Sequence, residues 1–121
     1  MWFSHDLLVT DALRRIITHN RGKVENEMLV IISELMQIQG TEEYLFSLND
    51  MFDMVRRNAI STDTSQIRKI LQDKWRLQPK PPTYYTAYLF GCNGEILSFP
   101  GKTARVYGVS QSELNEIMSE C

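Results

Sequence analysis

Cysteine is almost missing from this chain of 121 residues: there are two, Cys92 and Cys121. No disulfide framework is expected, and two reduced thiols are the simplest reading. Histidine is equally sparse. His5 and His19 have no cysteine or carboxylate around them at ligand spacing, so neither a metal site nor any other cofactor is expected. No apolar run approaches the roughly 20 residues that a membrane span needs. The first residues carry no basic stretch followed by an apolar one, so the expected place is the cytoplasm, away from membranes. Catalytic patterns are lacking too, with no nucleophile elbow, paired-carboxylate signature or dinucleotide fingerprint. Gly101, Lys102 and Thr103 lack the upstream glycine of a phosphate-binding loop, and Pro100 occupies the turn. The expectation is a protein that binds and does not catalyse. An excess of one charge is also absent: 13 Lys+Arg against 15 Asp+Glu leave a net charge of -2, without the strong positive field of an obvious nucleic-acid binder.

What is present is a composition of 43% hydrophobic and 23% charged residues, which at this length predicts one domain over residues 1–121 with a self-sufficient core. The small net charge hides a polarised chain. Residues 24–53 carry seven acids (Glu25, Glu27, Glu34, Glu42, Glu43, Asp50, Asp53) and no Lys or Arg. Residues 54–82 carry seven bases (Arg56, Arg57, Arg68, Lys69, Lys74, Arg76, Lys80) against Asp63 and Asp73. Either the two blocks lie against each other and neutralise, or one of them is kept free for a charged partner.

Apolar spacing predicts an α+β, mostly helical fold. Four helices are expected over 4–19, capped by Ser4, over 24–39, ended by Gly40, over 42–57, and over 63–76. Their inward residues are Leu8, Ala12, Ile16 and Ile17; Met28, Ile31, Ile32, Leu35 and Ile38; Leu45, Leu48, Phe52 and Val55; and Ile67, Ile70, Leu71 and Trp75. The helical part, 1–78, ends at a connector over 79–83, where Pro79, Pro81 and Pro82 forbid helix. The remaining part, 84–121, opens with a β-hairpin over about 84–99 turning at Asn93-Gly94, a pair that tolerates positive φ. Tyr84, Tyr85, Tyr88, Phe90 and Phe99 of this hairpin suit either the core or the stacking of unpaired bases. Trp2 and Phe3, ahead of the first helix, suit the core or an anchor for another chain.

Ala104, Gly108, Val109, Leu114 and Ile117 follow, and Ser110 with Glu113 forms a capping box. This spacing, with a small residue in a first helix, a glycine in the turn and apolar anchors in a second helix, resembles the helix-turn-helix family of DNA-binding motifs. With the hairpin before it, the segment 86–119 resembles the hairpin-plus-helix-turn-helix modules of some homing endonucleases. The resemblance implies a second helix in a major groove, with Gln111, Ser112 and Asn115 at base edges and Lys102 and Arg105 near phosphates. Glu113, Glu116 and Glu120 crowd the same helix with negative charge.

A second candidate is the basic block. The helix pair on either side of residues 58–62, followed by the hairpin, has the proportions of a winged helix, although the glycine of a tight turn is missing. Gln66 and Arg68 are then the readout residues, with Lys69 reaching a base or a phosphate and Arg56, Arg57, Lys74 and Arg76 at the flanks. The expected partner is double-stranded DNA and the expected role a small transcriptional regulator. A homodimer is expected because one unit reads too few base pairs. The alternative from another class is an adaptor or inhibitor that offers Glu34, Glu42, Glu43 and Asp50 to a basic site on a protein partner.

Overall fold

A computed structural model describes residues 22–40 and 42–119. Among them are four helices and two antiparallel sheets of two strands each, a mixed α+β arrangement. The predicted helix over 4–19, with Ser4, Trp2, Phe3, His5 and His19, lies outside the described residues, as do Glu120 and Cys121.

Helix α1 spans Lys23–Gln39 and stops as expected at Gly40, whose φ of 64° lets its N–H reach back to the Met36 carbonyl. It is buried on every side from Val24 to Met36, Asn26 excepted. Met28, Ile31, Ile32 and Leu35 have no exposed surface, whereas Ile38, also expected inside, is 44% exposed because it lies in the last turn beyond the core.

The single helix expected over 42–57 is a strand followed by a helix. Strand β1 is Glu43–Phe46 and helix α2 is Leu48–Arg57. Tyr44, Leu45 and Phe46 prefer the extended pleat, and Ser47 starts the helix by accepting a hydrogen bond from the Asp50 N–H at 3.1 Å. The inward face turns accordingly: Met51, Met54 and Val55 are fully buried, while Leu45, Leu48 and Phe52 are half-buried. Tyr44 and Phe46 point the same way from β1, with ring centroids 5.2 Å apart, and Phe46 stacks in turn on Tyr107.

Helix α3 begins at Thr64 under an Asp63 cap, runs as α-helix to Lys69 and widens into one π turn over Ile70–Lys74. The Trp75 N–H bonds to the Ile70 carbonyl five residues back, and Arg76 at φ 59° ends the helix. Ile67 and Leu71 are fully buried against α2.

The hairpin is longer than its aromatic core suggests. Strands β2 (Thr83–Phe90) and β3 (Ile96–Ala104) are joined by a loop in which the Gly94 N–H reaches the Gly91 carbonyl and the Gly91 N–H reaches the Glu95 carbonyl. Only Gly94 of the expected Asn-Gly pair has positive φ, at 78°, so this is a three-residue loop and not the two-residue turn. A bulge between Tyr85 and Ala87 lets β3 run past Pro100, with Gly101 at φ 76° absorbing the extra residue. Strand β4 (Tyr107–Ser110) then pairs antiparallel with β1, Tyr44 opposite Val109. The N–H of Lys80 donates to the Val106 carbonyl at 2.7 Å, which continues the hairpin ladder between β3 and β4.

The expected C-terminal helix pair is therefore half right. Its second member exists as α4 (Gln111–Ser119), started by reciprocal bonds between Ser110 and Glu113, with Leu114 and Ile117 buried. Its first member is strand: Lys102 and Ala104 belong to β3, and Gly108 to β4 without positive φ. A Cβ on Gly108 would meet the Glu43 and Lys80 side chains at 2.6–2.9 Å, so this glycine serves close approach across a sheet and not a left-handed turn.

Candidate nucleic-acid interface

The basic block is built on the pair α2–α3. Its connecting turn contains no glycine, and Ala59 takes the left-handed position itself, at φ 63°. Beyond the turn, the Asp63 carboxylate accepts from the Gln66 N–H at 2.7 Å, and the Thr62 hydroxyl donates to the Gln66 side-chain carbonyl at 2.8 Å. With Ile67 and Leu71 facing inward, Ser65, Gln66, Arg68 and Lys69 stand in solvent. Arg68 and Lys69 form no ion pair among the described residues.

The neighbouring bases are tied to the fold. Both Arg56 and Arg57 bond to the Asp53 carboxylate, at 3.2 and 2.9 Å, and Arg56 also lies over the Phe52 ring. Arg57 donates a further bond to the Phe90 carbonyl at 2.9 Å, which fastens α2 to the edge of β2. Both guanidiniums keep exposed surface and unused donors.

Lys74, unlike Arg68 and Lys69, is paired. Its ammonium lies 2.6 Å from Glu25, which is 3% exposed, and the Trp75 indole N–H donates to the same carboxylate at 2.7 Å. Nothing in residue spacing forecasts this clamp, because the π turn that aims Lys74 and Trp75 together has no sequence signature.

The other expected readout residues sit elsewhere. Lys102 lies opposite Tyr85 on β3, Arg105 just after it, and Gln111, Ser112 and Asn115 on α4, where the Gln111 amide donates to the Asn115 side chain. All are exposed, yet none shares an element with Arg68 and Lys69. Where the end of α3 approaches α4, Lys74, Trp75 and Arg76 line a cavity of about 460 Å³ with Glu116 and Ile117.

The acidic block is not presented as one surface. Glu25, Glu27 and Glu34 are buried, Glu27 accepting from the Asn58 amide. Asp53 is bonded to two arginines, and the Tyr85 hydroxyl donates to half-buried Asp50 at 2.6 Å. Glu42 and Glu43 are exposed, with Lys80 3.8 Å from Glu43. The two charge blocks thus neutralise partly within the chain.

Burial pushes the Tyr85 phenol up to about 12, helped by its bond to Asp50. Tyr44, buried beside it, lies well above the ordinary phenol value through desolvation first and the Asp50 charge second. Both act as protonated donors or apolar bodies at neutral pH, not as nucleophiles. Among the described residues no three His, Cys, Asp or Glu side chains are grouped to hold a metal ion, and no helix is long and apolar enough to cross a membrane. Compared with known protein families, curated proteins and solved structures, the chain matches none of them.

Proposed function

We propose that the protein is a small double-stranded DNA-binding regulator of the winged-helix type, with α3 as the helix that enters the major groove. The observation that carries this reading is the open face of α3, where Gln66, Arg68 and Lys69 are exposed and the two bases are free of ion pairs among the described residues. Gln66 offers an amide to a base edge, and Arg68 and Lys69 reach guanine edges or phosphates. Arg56 and Arg57 flank them as phosphate contacts.

The order of elements supports the reading. Helix, strand, helix, helix and hairpin follow one another as in a winged helix, and residues 96–110 serve both β2 and β1, as the last strand of such a domain does. The loop 91–95 would be the wing. Its one charge is Glu95, so the helix and not the wing tip supplies the electrostatic attraction.

The test is a titration of fluorescent random-sequence duplex DNA at low and near-physiological salt. Micromolar binding that weakens steeply with salt is expected, abolished by Arg68→Glu with Lys69→Glu and unaffected by Glu42→Lys with Glu43→Lys. No binding at low salt overturns the proposal.

A further inference from the structure

Among the described residues, strand β3 is paired on one side only, with β2. The loop bond from the Gly91 N–H to the Glu95 carbonyl fixes which of its backbone groups face β2. Antiparallel pairs alternate, so Leu97 and Phe99 bond inward to Leu89 and Ala87, while Ile96 and Ser98 turn their N–H and C=O groups outward. The same alternation turns the Phe90 carbonyl outward on β2, and there Arg57 covers it. Among the described residues, no strand and no hydrogen bond covers the outward edge of β3 at Ile96 and Ser98.

The side chains on this edge are ordered as well. Leu97 and Phe99 lie on one face and are each 41% exposed, an unusual display for large apolar residues on a strand edge. Glu95 shares their face by alternation. So does Lys102, because the bulge at residues 100–101 counts as a single step, as its pairing with Tyr85 records. Read along the edge, the face runs acid, apolar, apolar, base.

We propose that a second copy of this chain adds its β3 antiparallel to this one, about a two-fold axis through Ser98. That operation sets Leu97 opposite the partner's Phe99 and Phe99 opposite the partner's Leu97. It also sets Glu95 opposite the partner's Lys102 at each end, so the apolar pair and the charges are complementary in the same register. The Ser98 N–H and C=O groups of the two copies bond to each other at the centre. Pro100 has no N–H to offer, which limits the ladder to the stretch around Ile96–Phe99 and makes this a weak, concentration-dependent dimer. The interface is isologous and closes on itself, so it forms dimers and not fibres. It does not depend on the DNA reading, since neither Arg68 nor Lys69 takes part.

Sedimentation equilibrium of the full chain over a range of concentrations tests it. A monomer–dimer equilibrium is expected. Glu95→Lys alone brings like charges together at both ends and should weaken the dimer about tenfold. Lys102→Glu alone should do the same, and the double exchange should restore it. Ser98→Pro removes the outward N–H while leaving the inward bonds to β2 intact, and should give a monomer with an unchanged far-ultraviolet spectrum. A chain that stays monomeric at about 100 µM overturns the proposal, and so does a dimer in which the double exchange fails to rescue the single ones.

Discussion

Trp75 and Glu25 stand fifty residues apart in sequence and 2.7 Å apart in space, the indole N–H donating to one carboxylate oxygen while Lys74 holds the other. The first turn of α1 is thereby locked to the last turn of α3. Removing the carboxylate leaves the buried indole N–H without its acceptor, while the half-exposed Lys74 ammonium turns to water, so Glu25→Ala should lose about 2 kcal/mol in urea unfolding followed by tryptophan fluorescence. Trp75→Phe, which keeps most of the ring, should lose less. Equal losses for the two would show that ring packing and not the polar clamp joins the helices.

Alkali should unfold the protein through its buried phenols. Tyr85 titrates near 12 in the folded chain and near 10 when unfolded. Its contribution is therefore complete below about pH 10 and falls as the pH rises toward 12, because the unfolded chain releases the proton first. Over that window stability should drop by about 2–3 kcal/mol on account of this group. In Tyr85→Phe the slope should flatten, while stability at neutral pH falls by about 1–2 kcal/mol through loss of the bond to Asp50. Tyrosinate absorbance recorded alongside urea midpoints checks both.

Arg56 and Arg57 share a partner but not a role. Arg56→Ala removes an exposed ion pair and should change stability by less than about 0.5 kcal/mol. Arg57→Ala also removes the donor to the Phe90 carbonyl, and should lose about 1–2 kcal/mol with faster amide exchange in β2. Similar values for both would mean that the hairpin is held by its apolar face alone.

Left-handed backbone gives two substitutions of opposite sign. Ala59 carries a Cβ at φ 63°, so Ala59→Gly should stabilise the protein by up to about 1 kcal/mol. Gly101 sits at φ 76° in the bulge, and Gly101→Ala should destabilise it by about 1 kcal/mol. Gly108→Ala should fall between them, since the atoms in its way are the mobile ends of Glu43 and Lys80. Thermal melts of the three variants measure the order.

For DNA, Arg68→Ala and Lys69→Ala should each lower the salt slope of binding by about one, if each contacts a phosphate. Arg105→Ala should leave it unchanged. The reverse pattern would move the interface to the C-terminal segment.

The sequence foretold these features unevenly, for physical reasons. Helix α1 was legible because Gly40 stops it and an apolar stripe repeats along it, and α3 because Asp63 and its flanking turn announce it. Strand β1 was not, since Leu45 fits a helical stripe with Leu48, Phe52 and Val55 as well as a pleat with its neighbours, and only pairing with β4 decides the matter. Ala104 and Gly108 mislead in the same way: a glycine amid apolar residues looks like a turn until the strand across from it is known. Of the candidate site, the open bases Arg68 and Lys69 were legible from charge and phase, whereas the withdrawal of Lys74 onto Glu25 depends on a π turn that leaves no local mark.

The bulge at Pro100 and Gly101 has a consequence for the hairpin as a whole. Side chains alternate along β3, and the extra residue resets the count between Lys102 and Phe99. If residues 100 and 101 took two regular steps instead of sharing one, with Lys102 still opposite Tyr85, Phe99 would fall opposite Tyr88 and Leu97 opposite Phe90. Leu97 and Phe99 would then turn onto the face where Tyr88 and Ile96 now meet the core, and Ile96 would come out into water. The bulge thus acts as a parity bit that decides which side of β3 is wet.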